Sequence, residues 1–173
     1  MLYEVFQTVT SICQRYPAES GKILEQLLAI SFDSRRAGFS VESHSTEGVD
    51  IGLVRQHERY AVEVKTTQGF EIELQDKDID GLHRKWITDD YIPVVAALKI
   101  EFLQDWVVAR AANLGSGWYK VDQLALRSLP HLQSLARQHF PGAVVELGPK
   151  VLHPPGGISP LEFLGTVLKS ENC

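Results

Sequence analysis

The chain has 173 residues, 44% of them hydrophobic and 23% charged, and we expect residues 1–173 to form a single globular domain. Its net charge of −5 at pH 7 argues against a general nucleic-acid coat protein but leaves room for a local basic surface. No apolar run approaches the roughly 20 residues that span a membrane, and the N-terminus lacks the pattern of a signal peptide, so we expect a cytoplasmic protein without a membrane partner.

Two helices are predicted before the first strand. Apolar residues spaced three and four apart predict an α-helix over 2–15, which Tyr16 and Pro17 end. A second helix is predicted over 18–36, with Gly38 in the position where glycine commonly follows a helix. Residues 39–44 are predicted to form the first strand.

The segment that follows has the period-two alternation of a β-hairpin. Its strands are predicted at 49–54 and 59–67, joined by a short polar turn at 55–58. Centring this turn places Gly52 opposite Ala61, a pair small enough to leave space above the sheet.

The same register places two acidic residues opposite each other at the far end of the hairpin. Asp50 faces Glu63, and the Cβ atoms of directly opposed residues lie about 5 Å apart, so like charges there destabilise a purely structural hairpin. A divalent cation reverses that cost, because Mg²⁺ prefers hard oxygen ligands. Lys65 points to the same face as Glu63. The pattern predicts a catalytic metal site, although a solvated strand face with alternating charges is the alternative.

The rest of the chain predicts further helices and strands. In chain order they are a helix at 76–88, a buried strand at 92–100, its hairpin partner at 105–110, a loop at 113–119, a helix at 121–139 interrupted at Pro130, a strand at 143–147 and a final helix opened by a capping box at 159–162. This order predicts the α/β class, with a mixed β-sheet flanked by helices.

This part of the sequence resembles the signature of the PD-(D/E)XK nuclease superfamily, which consists of an acidic residue near a strand start, a short hairpin and then Glu-x-Lys. The superfamily includes restriction endonucleases and archaeal Holliday-junction resolvases. Here the signature is Asp50 with Glu63-Val64-Lys65, and Val49 stands where the superfamily name has proline. The resemblance covers roughly residues 19–110 and is closest in layout to the resolvases. It implies a restriction-endonuclease-like core in the order αβββαβ, with extra N- and C-terminal helices and residues 113–173 as a C-terminal extension.

The resemblance also implies a ligand set and a reaction. Asp50, Glu63 and the carbonyl of Val64 would hold Mg²⁺, for which Mn²⁺ substitutes, and the reaction would be hydrolysis of phosphodiester bonds in DNA. Two carboxylates beside Lys65 raise its pKa, so stabilisation of charge suits it better than a role as base; a surface ion pair with Glu63 is the alternative. Glu25, on the upstream helix, would reach the water shell of the metal, unless it is an ordinary exposed glutamate.

Several other residues are candidates for contact with DNA. They are Arg35, Arg36, Thr66, Arg84 and Lys85. Arg35 and Arg36 equally suit the negative end of their own helix dipole, and threonine is a common strand residue. The three tryptophans, Trp86, Trp106 and Trp118, are expected in core or edge packing rather than as platforms for stacked bases.

These features favour a Mg²⁺-dependent endonuclease that acts on DNA. The resemblance also implies a homodimer, because such nucleases usually work as dimers in which two symmetric sites cut two strands. A non-catalytic module that binds nucleic acid or protein on the same fold is the alternative. A third hypothesis is a nuclease subunit of a larger complex, with a protein partner bound through residues 113–173.

Overall fold

The computed structural model describes residues 2–43, 49–100 and 105–171; His44, the last residue of the first predicted strand, falls outside these ranges. The helices are α1 (Tyr3–Arg15), α2 (Ser20–Phe32), α3 (Asp76–Asp89), α4 (Val121–Leu124), α5 (Pro130–Leu152) and α6 (Pro160–Glu171). The strands are β1 (Ser40–Ser43), β2 (Ile51–Arg55), β3 (Glu58–Thr67), β4 (Glu71–Leu74), β5 (Ile92–Lys99), β6 (Val107–Arg110) and β7 (Gly117–Lys120).

The central element is a mixed five-stranded sheet in the order β1-β2-β3-β5-β6. β3 and β5 are parallel, whereas the other neighbouring strands are antiparallel. Parallel neighbours need a crossover connection, and α3 supplies it between β3 and β5. The predicted α/β class with a mixed sheet between helices is confirmed.

Helices cover both faces of this sheet, which explains why β3 and β5 are apolar on both sides. Val62 and Val64 of β3 pack with α1, α2, α5 and α6 in one core. Ala61 packs on the opposite face with α3, β4 and α4 in a second core. Because successive side chains of a strand point to opposite faces, Glu63 and Lys65 share the face of Ala61, beneath α3.

The C-terminal extension contains the largest error of the sequence prediction. The predicted helix end at 139 and the predicted strand at 143–147 are both wrong, because α5 runs unbroken from Pro130 to Leu152. Its buried residues, among them Phe140, Val144, Leu147 and Val151, recur at three- and four-residue spacing. Packing of this stripe on α1 and α2 outweighs the low helix propensity of valine and of two internal prolines.

Of two smaller predictions, one needs correction and one is confirmed in part. The predicted helix over 18–36 ends at Phe32, because the carboxylate of Asp33 accepts the backbone N–H groups of Arg35 and Arg36 and folds them into a turn. Gly38 ends that turn with a φ of +80°. The capping box is confirmed in part, since the Ser159 hydroxyl accepts the backbone N–H of Glu162 at 3.1 Å where α6 begins.

A small second sheet was not predicted. β4 pairs antiparallel with β7, and the predicted loop at 113–119 ends inside β7. Each strand has only four residues, too few for the alternation of Ile72 and Leu74 with polar neighbours to stand out in the sequence. Within the described ranges, no helix combines the length and the apolar character needed to cross a membrane.

Candidate active site

The hairpin of β2 and β3 has the predicted register. Gly52 pairs with Ala61, and Val54 pairs with Arg59. The last bridged pair is Ile51 with Val62, so Asp50 and Glu63 lie one step beyond the end of the ladder. The two strands separate at this point, and the end of β3 is left to interact with other groups.

Asp50 occupies the gap where the two strands separate. Its Oδ2 accepts the backbone N–H of Val64 at 2.8 Å, a hydrogen bond that β2 no longer provides. Its Oδ1 lies 3.9 Å from the Nζ atom of Lys22 on α2. The carboxylate of Asp50 is thereby fixed beside Glu63 by the backbone of the same strand that carries Glu63.

Glu63 and Lys65 form a buried ion-pair network with a residue that the sequence analysis missed. Lys65 Nζ lies 2.7 Å from Glu63 Oε1 and 2.7 Å from Oδ2 of Asp78. Asp78 is the third residue of α3 and forms a capping box with Gln75, whose backbone N–H donates to Asp78 Oδ2 at 2.9 Å. The sequence signals a capping box here, because an acidic residue stands three positions after a polar helix start, but it does not signal the contact with Lys65.

Glu25 reaches the same region from α2. Glu25 is only 7% exposed, so the alternative of an ordinary solvent-exposed glutamate is wrong. Oε1 accepts a hydrogen bond from Lys22 Nζ at 2.6 Å. α2 lies next to the end of β3, since a Cβ built on Gly21 would be in van der Waals contact with Thr66 Oγ1 at 3.4 Å.

Burial and the neighbouring Asp50 raise the pKa values of two carboxyl groups in this cluster. Burial, followed by the charge of Asp50, raises the pKa of Glu63 to about 8. Burial and then Asp50 likewise raise the pKa of Glu25 to about 7. Groups whose ionisation is opposed by both burial and a neighbouring charge are characteristic of functional sites.

The pKa values of Lys65 and Asp78 are shifted in the directions that favour their charged forms. Burial opposes the charge of Lys65, but its hydrogen bonds to Asp78 and Glu63 outweigh burial and raise its pKa. Burial also opposes ionisation of Asp78, but the hydrogen bonds from Lys65 and from the Gln75 backbone outweigh it and lower its pKa. Lys65 and Asp78 are therefore charged at neutral pH.

The donor chemistry fits a hard divalent cation. Asp50, Glu63 and Glu25 offer carboxylate oxygens, and a cation would relieve the repulsion that Asp50 exerts on each of the two glutamates. In the described part of the chain, however, no three His, Cys, Asp or Glu side chains are arranged as a closed metal-binding group. The ammonium groups of Lys22 and Lys65 contact these carboxylates instead.

The other predicted site residues differ in their surroundings. Arg35 and Arg84 are exposed. Arg36 pairs with Asp33 at 2.7 Å and with Glu146 of α5 at 2.6 Å, and Lys85 lies 3.2 Å from Asp89, so both have structural partners. Thr66 is half-buried on the face opposite Lys65. Their contact with DNA stays a prediction.

The described fold is similar to that of a solved Holliday junction resolvase. Hjc from Archaeoglobus fulgidus, a Holliday junction resolvase from an archaeal hyperthermophile, matches with a TM-score of 0.54 and 15% sequence identity, over 66% of this chain and 95% of the resolvase chain. At this identity the similarity shows the fold, and it confirms the predicted restriction-endonuclease-like core. No protein-family model matches the chain, and no curated protein matches it significantly.

Proposed function

We propose that the chain is a metal-dependent nuclease that hydrolyses phosphodiester bonds in DNA. The observation that carries the proposal is the convergence of Glu25, Asp50, Glu63 and Lys65 where β3 leaves its hairpin partner. Four residues from two separate segments of the chain meet there, with two carboxyl groups whose pKa values are raised to about 7 and about 8. A fold shared with a Holliday junction resolvase supports a nuclease, and branched DNA as its substrate.

Asp50, Glu63 and the carbonyl of Val64 would hold Mg²⁺, with Mn²⁺ as a substitute, and Glu25 would order its water shell. When bound, the metal supplies an activated water and stabilises charge on the phosphate oxygens. Lys65 stays charged, so in this proposal it stabilises negative charge at the scissile phosphate rather than removing a proton.

We propose that the chain is one domain and works as a homodimer. The C-terminal helices α5 and α6 both pack on α2, the helix that carries Glu25, so the extension supports the site rather than standing apart from it. Two copies related by a twofold axis would present two sites to two DNA strands. A protein partner that binds the outer surface of the extension remains compatible with this arrangement.

A cleavage assay with titrated metal tests the proposed function. Labelled four-way junction, duplex and single-stranded DNA are incubated with the full chain in Mg²⁺, Mn²⁺, Ca²⁺ or EDTA. We expect cleavage with Mg²⁺ or Mn²⁺ and none with EDTA. DNA binding without cleavage under every metal condition would instead support a non-catalytic module on the same fold.

Asp78 is expected to act as a positioning residue for Lys65. Asp78→Asn keeps an oxygen that can accept the Gln75 N–H but removes the charge that lies 2.7 Å from Lys65 Nζ. We expect kcat to fall by about 10- to 10²-fold with little change in KM, because a small displacement of a catalytic group is costly. Asp80→Asn, at an exposed position of the same helix, is the matched control and should leave both constants unchanged. An equal loss in the two variants would contradict the positioning role.

A further inference from the structure

A second concave site adjoins the end of β3 that carries the ion-pair network. It has a volume of about 580 Å³ and lies between the end of β3 and the small β4–β7 sheet. Thr67 of β3, Phe70 from the following turn and Trp118 of β7 contribute to its lining. This volume is within the range of pockets that hold small organic groups.

The pocket and the candidate active site lie on one face of the same strand. Glu63, Lys65 and Thr67 alternate along β3 and therefore point to the same side of the sheet. Four residues of strand separate Thr67 from Glu63 by about 13 Å. A nucleic-acid strand advances about 3.4 Å per stacked nucleotide, so a strand cut at Glu63 would have a base within about four nucleotides of the pocket.

Two large aromatic side chains of this pocket are open to solvent. Trp118 is 67% exposed and Phe70 is 58% exposed, so the expected core or edge packing does not cover Trp118. Trp106, by contrast, is only 1% exposed, as expected for a core residue. Proteins that bind unpaired nucleotides commonly stack the bases on solvent-exposed aromatic side chains.

The wall of the pocket is held in place by a buried lysine. Lys99, only 3% exposed, donates to Asp122 Oδ1 at 2.8 Å, and its Nζ lies 5.5 Å from the centre of the Phe70 ring. The carbonyl of Phe70 also accepts the backbone N–H of Val121 at 3.0 Å. The backbone of Phe70 and the carboxylate of Asp122 thus have partners before any ligand binds, which lowers the entropic cost of binding.

The charges around the pocket favour a base over a phosphate. Glu71 and Asp122 offer acceptor oxygens, and Lys120 offers a donor, so the lining is mixed rather than basic. Lys99 balances the charge of Asp122, and Lys120 balances that of Glu71, so the rim has no excess of positive charge to attract a phosphate, whereas the edge of a nucleobase presents both donors and acceptors. The aromatic faces and the mixed polar rim therefore match the chemistry of a nucleobase.

We propose that this pocket binds an unpaired nucleobase of the DNA substrate, stacked on Trp118 and Phe70. The inference deepens the proposed nuclease function, on which it rests, by naming the substrate class as DNA with unpaired nucleotides close to the cleaved bond. A fully paired duplex offers no free base face to Trp118, so the pocket adds nothing to its binding affinity.

Binding measured without cleavage tests this inference. In Ca²⁺, fluorescence anisotropy compares a branched DNA that carries unpaired nucleotides with a fully paired duplex of equal length. Trp118→Ala is expected to weaken binding of the branched DNA by about 10-fold, the scale for loss of one stacked base, and to leave duplex binding within about twofold. Trp118→Phe should retain most of the affinity. Trp86→Ala is the control, because Trp86 is 43% exposed on α3 and does not line this pocket.

Tryptophan fluorescence gives an independent measure of stacking. In a Trp86→Phe background the remaining tryptophans are Trp106, which is buried, and Trp118, which is exposed. We expect branched DNA to quench this fluorescence more strongly than paired duplex does, and the additional substitution Trp118→Phe to remove the difference.

The outcomes separate the pocket from the nuclease. If the wild-type chain cleaves DNA but Trp118→Ala binds branched DNA as tightly as wild type, the pocket inference is wrong and the nuclease stands. If Trp118 selectively strengthens binding of branched DNA but no metal supports cleavage, the inference stands and the nuclease is wrong. If no DNA binds and none quenches the tryptophan fluorescence, both the pocket inference and the nuclease function are wrong. A protein-binding surface then becomes the better explanation of the exposed Trp118.

Discussion

Asp50→Asn and Glu63→Gln are each expected to abolish Mg²⁺-dependent DNA cleavage while leaving the fold intact. Each substitution removes one of two neighbouring carboxylates that would hold the metal, and an amide is a poor ligand for Mg²⁺. Asparagine is chosen at position 50 because its side-chain oxygen can still accept the Val64 N–H that Asp50 accepts at 2.8 Å. Cleavage rates at saturating Mg²⁺ give the measurement.

The same variants are expected to be more stable than wild type in metal-free buffer above neutral pH. Burial, followed by Asp50, raises the pKa of Glu63 to about 8 from an ordinary value of 4.5. A carboxyl with a raised pKa contributes stability that is fully present below pH 4.5 and is lost as the pH rises through about 8. Glu63→Gln stays neutral over this range, so its advantage in Tm over wild type should grow from pH 5 to pH 8 and shrink when Mg²⁺ is added to wild type.

A matched control separates the metal site from general charge effects. Glu162→Gln removes an exposed carboxylate in the first turn of α6 and should change neither cleavage nor the response to Mg²⁺. If wild type gains no stability from millimolar Mg²⁺ and the two site variants melt lower at every pH, Asp50 and Glu63 have a structural role and do not hold a metal.

Much of the site could be predicted because it is encoded by local geometry. Strict alternation along β3 places Glu63 and Lys65 on one face, and a two-residue turn at Gln56 and His57 fixes the hairpin register. These constraints act over fewer than about ten residues, so they do not depend on how the rest of the chain folds. The position of Asp50 followed from the same register, although the ladder stops just before it.

Asp78 could not be predicted as part of the site, because its contact with Lys65 depends on how α3 crosses the sheet. A capping box suggests where a helix begins but not which lysine its carboxylate will meet. The error at residues 143–147 has a similar origin. Val144 and Val145 favour a strand by propensity, and only the packing of α5 on α1 and α2 makes the helix the better state.

Lys65→Ala is expected to lower the rate of Mg²⁺-dependent cleavage by on the order of 10²-fold or more, the scale for losing one preorganised electrostatic group. Burial opposes the charge of Lys65, but its hydrogen bonds to Asp78 and Glu63 outweigh burial and raise its pKa. A lysine that stays charged can stabilise negative charge on a phosphate oxygen but cannot accept a proton. Lys65→Arg should not restore the rate, because a planar guanidinium does not fit the compact position of an ammonium held by two carboxylates.

DNA affinity distinguishes this catalytic role from simple phosphate binding. In Ca²⁺ the affinity of Lys65→Ala should remain close to that of wild type, since one phosphate contact contributes only about one unit to the salt dependence of binding. Lys150→Ala, at an exposed position of α5, is the control and should change neither rate nor affinity.

The single substitution leaves Glu63 and Asp78 buried without their cation, which can destabilise the fold by several kcal/mol. The double variant Lys65→Ala with Asp78→Asn removes one positive and one negative charge together, so it keeps the charge balance of the network and is expected to fold. Its cleavage rate should be as low as that of the single variant, because the ammonium is missing from both. Equal losses of rate and affinity in the double variant would assign Lys65 to substrate binding, and a wild-type rate would exclude this cluster as the site of cleavage.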